Sequence, residues 1–78
     1  MADIKAIKEH MEVVGSDGAH VGTVDYLEGD SRIKLTKSDP LSGGQHHLIP
    51  ADWVDKVDNK VHLKKAAKEA QAQWQTAA

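Results

Sequence analysis

The chain has no cysteine and no phenylalanine, only two prolines, and no apolar run long enough to span a membrane. Each absence excludes something. Without cysteine, neither disulfides nor thiolate-held zinc can staple so short a chain. Without phenylalanine, the aromatic content falls to 4%, leaving two tryptophans and one tyrosine. Apolar residues make up 40% of the 78, but ten are alanines, so a thin core of valine, isoleucine and leucine is expected. Without a run of about eighteen apolar residues or a signal-peptide core, the expectation is a cytoplasmic protein outside the membrane. The formal charge of −2 is not that of a general nucleic-acid binder.

What is present reads as one mostly β domain over residues 1–78. Asp3 to His10 has Ile4, Ile7 and Met11 at helical spacing, and Asp3 as a cap for a short helix. Met11–Val14 suits a strand, ended by the turn Gly15-Ser16-Asp17-Gly18. His20–Glu28 and Arg32–Lys37 form a hairpin around Gly29-Asp30-Ser31, with Ile33 and Leu35 inward. Ser38–Gly44 is the longest loop, rich in turn residues. Gln45–Pro50 is a strand stopped by Pro50, and Ala51–Val54 is a short 3₁₀ turn that tucks Trp53 into the core. Val57–Val61 is a tight turn, and beyond it Val61 and Leu63 point opposite to His62. From residue 64 to about 76, the spacing of Leu63, Ala67, Ala70 and Trp74 predicts one helix, anchored by Trp74. Short strands at regular intervals with a trailing helix imply a small antiparallel barrel over about 11–63, or a strongly curled sheet.

Several motifs together resemble a known family. The strand and turn from Met11 to Gly18, then Val21-Gly22-Thr23-Val24-Asp25, Lys34-Leu35-Thr36-Lys37, Gly43-Gly44-Gln45-His46-His47 and Ile49-Pro50-Ala51-Asp52-Trp53-Val54 stand here in that order. The set resembles PRC-barrel-like domains, and within them short stand-alone bacterial proteins known as a domain of unknown function. The resemblance covers most of residues 4–74. It implies a small β-barrel of the sort found in the photosynthetic reaction-centre H subunit and a ribosome-maturation factor, where the barrel docks on other proteins. It implies no catalytic residue set.

Five histidines in a chain this short raise the question of metal binding or pH sensing. On a strand His46 and His47 face opposite ways, so a metal site needs cross-strand help from His20 or His62 with a carboxylate such as Asp25. Lys56, Lys60, Lys64, Lys65 and Lys68 form the basic concentration, interleaved with Asp52, Asp55 and Asp58. An RNA-associated module would use Lys60, Lys64 and Lys65. No nucleophile elbow or phosphate loop is present, so neither an enzyme nor a cofactor is expected. The leading expectation is a bacterial interaction or adaptor module, with a stress-related role, that contacts a protein partner or a second copy as a dimer. Its contact residues would be Ala67, Ala70 and Trp74 on the helix and Leu41 in the loop.

Overall fold

The computed structural model describes residues 6–29 and 31–77. Seven strands form one sheet: β1 (Glu12–Val14), β2 (His20–Glu28), β3 (Arg32–Leu35), β4 (His46–Pro50), β5 (Val54–Val57), β6 (Val61–Leu63) and β7 (Gln75–Ala77). Among the described residues one α-helix, α1 (Ala67–Gln73), precedes β7. Across the sheet the order is β5-β6-β1-β2-β3-β4-β7.

The expected barrel is corrected on two counts. The sheet is open, because its edge strands β5 and β7 do not pair. It is also not wholly antiparallel, since β1 and β6 run parallel, with Val13 opposite Val61. The architecture is therefore a curled sheet with one helix.

The curl originates in β2. Along β2 the pairing with β1 steps from Gly22 to His20 while β1 advances by one residue, which leaves Val21 as an extra residue. Asp25 is extra in the same way against β3, where Val24 pairs with Leu35 and Tyr26 with Lys34. Each bulge adds twist and shifts the inward-outward alternation by one. The inward side chains of β2 are therefore Val21, Val24 and Leu27, a spacing of three instead of two. By the same shift His20 and Thr23 come to share a face.

The core is aliphatic. Val13, Val21, Val24, Ile33, Leu35, Ile49, Val61 and Leu63 are fully buried, joined by Ala67 and Ala70 from α1. Trp53 departs from expectation, because it flanks this cluster half-buried, with the Lys65 ammonium 5.2 Å from its ring centroid. The total accessible surface is 4654 Å². A self-standing monomer of this mass exposes about 4,650 Å², so the thin core still closes to the usual degree.

The two ends differ most from the expected elements. Asp3, Ile4 and Lys5, the start of the anticipated first helix, lie outside the described residues. From Ile7 to His10 no helix forms, and His10 adopts a left-handed φ of 68° and feeds the chain into β1. At the other end the helix stops at Gln73, and Trp74 is extended at φ −65°, ψ 154°. Gln75–Ala77 then pairs with β4, Leu48 lying opposite Gln75. Pairing with the open edge of β4 outweighs the helical preference of the tail.

No side chain of Ala66 caps α1. Instead Asp17 Oδ1, from the β1–β2 turn, accepts the Ala67 N–H at 3.3 Å, and the Ser16 N–H donates to Lys65 O at 2.8 Å. Only glycine permits this approach at position 15, where a Cβ would stand 2.3 Å from Ala67 N.

Candidate functional site

The most heavily built feature is the 37–44 loop between β3 and β4. It contains a 3₁₀ turn over Pro40–Ser42, started by Asp39, whose Oδ1 accepts the Leu41 N–H at 2.9 Å. Asp before Pro is a natural start for such a turn, since proline at the first helical position needs no donor partner. Gly43 and Gly44 close it at φ 69° and 80°, where a β-carbon would be strained. Within the loop the Ser42 hydroxyl donates to Lys37 O at 2.7 Å.

Three histidines secure this loop from the sheet. His20 on β2 places Nδ1 2.9 Å from Glu12 Oε2 and Nε2 2.6 Å from Asp39 Oδ2. Ionised carboxylates only accept hydrogen bonds, so both ring nitrogens must donate, which defines an imidazolium. Thr23 Oγ1 donates to the same Asp39 oxygen at 2.8 Å, and Lys60 Nζ lies 3.3 Å from Glu12 Oε1. His47 is buried and donates from Nε2 to Ser42 O at 2.6 Å. Its ring stacks on Trp74, centroids 3.9 Å apart and planes 10° from parallel. That tautomer leaves His47 Nδ1 as a buried acceptor without a partner among the described residues. His46, on the opposite face of β4, accepts the Lys37 N–H at Nδ1, 3.2 Å away, with Asp25 Oδ2 at 3.8 Å.

The electrostatics follow from these contacts. Burial works against a charged His20, but its hydrogen bonds to Glu12 and Asp39, with their charges, raise its pKa above the ordinary histidine value. Burial likewise opposes ionised Asp39, yet the Leu41 N–H, His20 and Thr23 outweigh it and lower its pKa. Glu12 is lowered chiefly by His20 and then by Lys60.

Of the residues singled out for a metal site, His46 and Asp25 approach each other at 3.8 Å, without a third ligand beside them among the described residues. His62 bonds Asp58 Oδ1 at 2.9 Å, while His20, His46 and His47 each take separate partners. Among the described residues no group of three or more potential ligands converges on one point. The basic cluster is also dispersed, with Lys60 on Glu12 and Lys65 over Trp53. Of the contact candidates, Ala67 and Ala70 pack inward, 4% and 0% exposed, because the helical stripe covers the chain's own sheet. Trp74 is half-buried against His47, and Leu41 stands 50% exposed at the middle of the loop. The sequence shows Ser42 as a turn serine bonding backbone groups, but not the contacts of Glu12, Thr23 and Asp39. Of these, only Asp39 carried a signal, the Asp-Pro pair that opens a 3₁₀ turn.

A cleft of about 470 Å³ beside His62 is lined by the Gly15–Gly18 turn, Asp55, Lys56 and Lys64. A second, of about 440 Å³, lies among Arg32, Leu48, Pro50, Trp53 and Gln75. No helix among the described residues is long and apolar enough to cross a membrane.

The model of the family DUF2171, described as an uncharacterized protein conserved in bacteria, matches residues 7–71. The chain belongs to that family, and the match takes in the loop and the three histidines that secure it. No curated protein gives a significant match. The motif resemblance thus leads to a bacterial domain of unknown function, on an open sheet instead of a closed PRC barrel.

Proposed function

We propose that this chain is a non-enzymatic interaction module whose contact surface is the 37–44 loop, with Leu41 as its anchor. The observation that carries this reading is an aliphatic side chain left 50% exposed on a loop secured by three histidines. A loop ordered before binding loses little conformational freedom on docking, and covering an outward apolar side chain removes its surface from water. Tyr26, the other large apolar residue exposed among the described ones, is engaged by Lys34, whose ammonium lies 5.1 Å from its ring centroid. The occupant is a protein partner or a second copy of the chain.

The test compares affinity recovery by the tagged wild-type chain and by Leu41→Asp from nuclease-treated bacterial lysate. The expected result is a protein recovered by the wild type and lost from the variant, both chains having the same melting midpoint. An untagged copy of the chain in the recovered set would identify self-association. Identical recoveries from both chains would overturn the assignment of the loop.

A further inference from the structure

We infer that the His20 imidazolium is a proton-operated clasp, which holds the 37–44 loop against β1 and β2 while charged and releases it on deprotonation. The inference adds regulation to the loop just described and rests on that reading for its biological meaning, though not for its physics.

The argument is one of donor count. The His20 ring lies between two carboxylate oxygens, at 2.9 Å on the Nδ1 side and 2.6 Å on the Nε2 side. A neutral imidazole has one N–H, so after deprotonation one of these short contacts sets a nitrogen lone pair against an anionic oxygen. Asp39, the loop's own residue, is the more deeply buried partner, its side chain 3% exposed against 37% for Glu12. An anion in that position depends on its cation, because burial without a counter-charge is unfavourable.

The charged groups around His20 come from several elements and balance only as a group. From β1 comes Glu12, and from the loop comes Asp39. The β5–β6 turn supplies Lys60, which reaches the second Glu12 oxygen, and Asp58, which is taken by His62 of β6. On β2 itself Thr23 is neutral, and Asp25, the extra residue of the second bulge, faces His46. With His20 protonated, Glu12, Asp39, His20 and Lys60 sum to zero charge. Without the proton, the group carries one net negative charge beside a buried carboxylate.

The direction of the response is fixed. Because the folded-state pKa of His20 is raised, its stabilisation is complete below the ordinary histidine value and is lost as pH rises through the folded one. Glu12 and Asp39 are lowered, so they remain ionised throughout that range. The clasp therefore tightens on acidification towards mildly acidic pH and slackens under alkaline conditions.

The test is an NMR titration of the free full-length chain. It follows the His20 ring together with hydrogen-exchange protection of the Leu41 amide, corrected for intrinsic exchange. Leu41 protection is expected to fall about tenfold or more as His20 loses its proton, the scale of one charge-assisted hydrogen bond. The buried-strand amide of Val24, bonded to Met11 O, should not change with it. In His20→Gln, which cannot become a cation, Leu41 protection should be low and independent of pH. Leu41 protection that stays flat through the His20 titration would overturn the inference, as would wild-type pH dependence in His20→Gln. Both readouts concern the free chain, so a failure to find a partner at Leu41 leaves them unaffected.

Discussion

Replacing Gly15 by alanine tests how closely the β1–β2 turn and the helix start are fitted. Gly15 is buried, and an added Cβ would meet Ala67 N at 2.3 Å, Asp17 Oδ1 at 2.8 Å and Ala66 C at 2.9 Å. Two of these are backbone atoms, which cannot rotate away, so the start of α1 has to retreat by about 1 Å to reach ordinary contact distance. That retreat stretches the Ser16 N–H bond to Lys65 O, now 2.8 Å, and the Asp17 cap on Ala67, now 3.3 Å, past useful length. Overpacking against fixed backbone and losing a backbone hydrogen bond together cost about 2–4 kcal/mol, against a gain of about 0.5–1 from the stiffer unfolded chain. The net loss is about 2–3 kcal/mol, a large share of the roughly 4–12 kcal/mol expected for 78 residues. Thermal unfolding followed by circular dichroism should then show a midpoint lowered by about 10–20 °C. Gly18→Ala is the control, because a Cβ there meets nothing within 4 Å and only its φ of 82° is strained. A Gly15→Ala midpoint equal to that of the wild type, or above that of Gly18→Ala, would refute the reasoning.

Other substitutions follow from the same contacts. Trp74→Ala removes the stack on His47 and uncovers a buried imidazole. It should cost about 2–4 kcal/mol in urea titration and shift the His47 ring resonances. Trp53→Ala should cost less, about 1–2 kcal/mol, since Trp53 is half-buried at the rim of the core. A loss above that of Trp74→Ala would place Trp53 in the core after all. On the acid side, Glu12, Asp17, Asp39 and Asp58 all have lowered folded-state pKa values. Their stabilisation is present above the ordinary carboxylate range and is lost as pH falls through the folded values, so the melting midpoint should decline below about pH 4. A midpoint unchanged from pH 5 to pH 2 would contradict these assignments.

Local chemistry made much of this fold legible. The alternation of Ile33 and Leu35, the turn at Gly15–Gly18, the Pro50 stop and the 3₁₀ turn at Ala51–Trp53 all follow from near neighbours in the chain. The opposite facing of His46 and His47 was legible from strand geometry alone. What escaped depends on partners distant in sequence. The two β2 bulges are set by pairing with β1 and β3, so a spacing of three at Val21, Val24 and Leu27 gives no strand signal by itself. Strand β7 exists because β4 offers an open edge, which no local preference of Gln75-Thr76-Ala77 reveals. The site was hidden for the same reason. His20 meets Glu12 eight residues away and Asp39 nineteen away, and only the bulge at Val21 turns it towards the face of Thr23. Histidine content raised the question of metal ligation, whereas the structure gives His20, His46, His47 and His62 hydrogen-bonding partners of their own.

The central claim, that the loop tip is the contact surface, is tested most directly by photo-crosslinking in living bacteria. A photoreactive amino acid is placed at position 41 in one strain and at position 68, on the exposed side of α1, in another. The account predicts a discrete crosslinked product from position 41, to a protein partner or to a second copy of the chain, and none from position 68. A product from position 68 alone, or the same products from both positions, would contradict it.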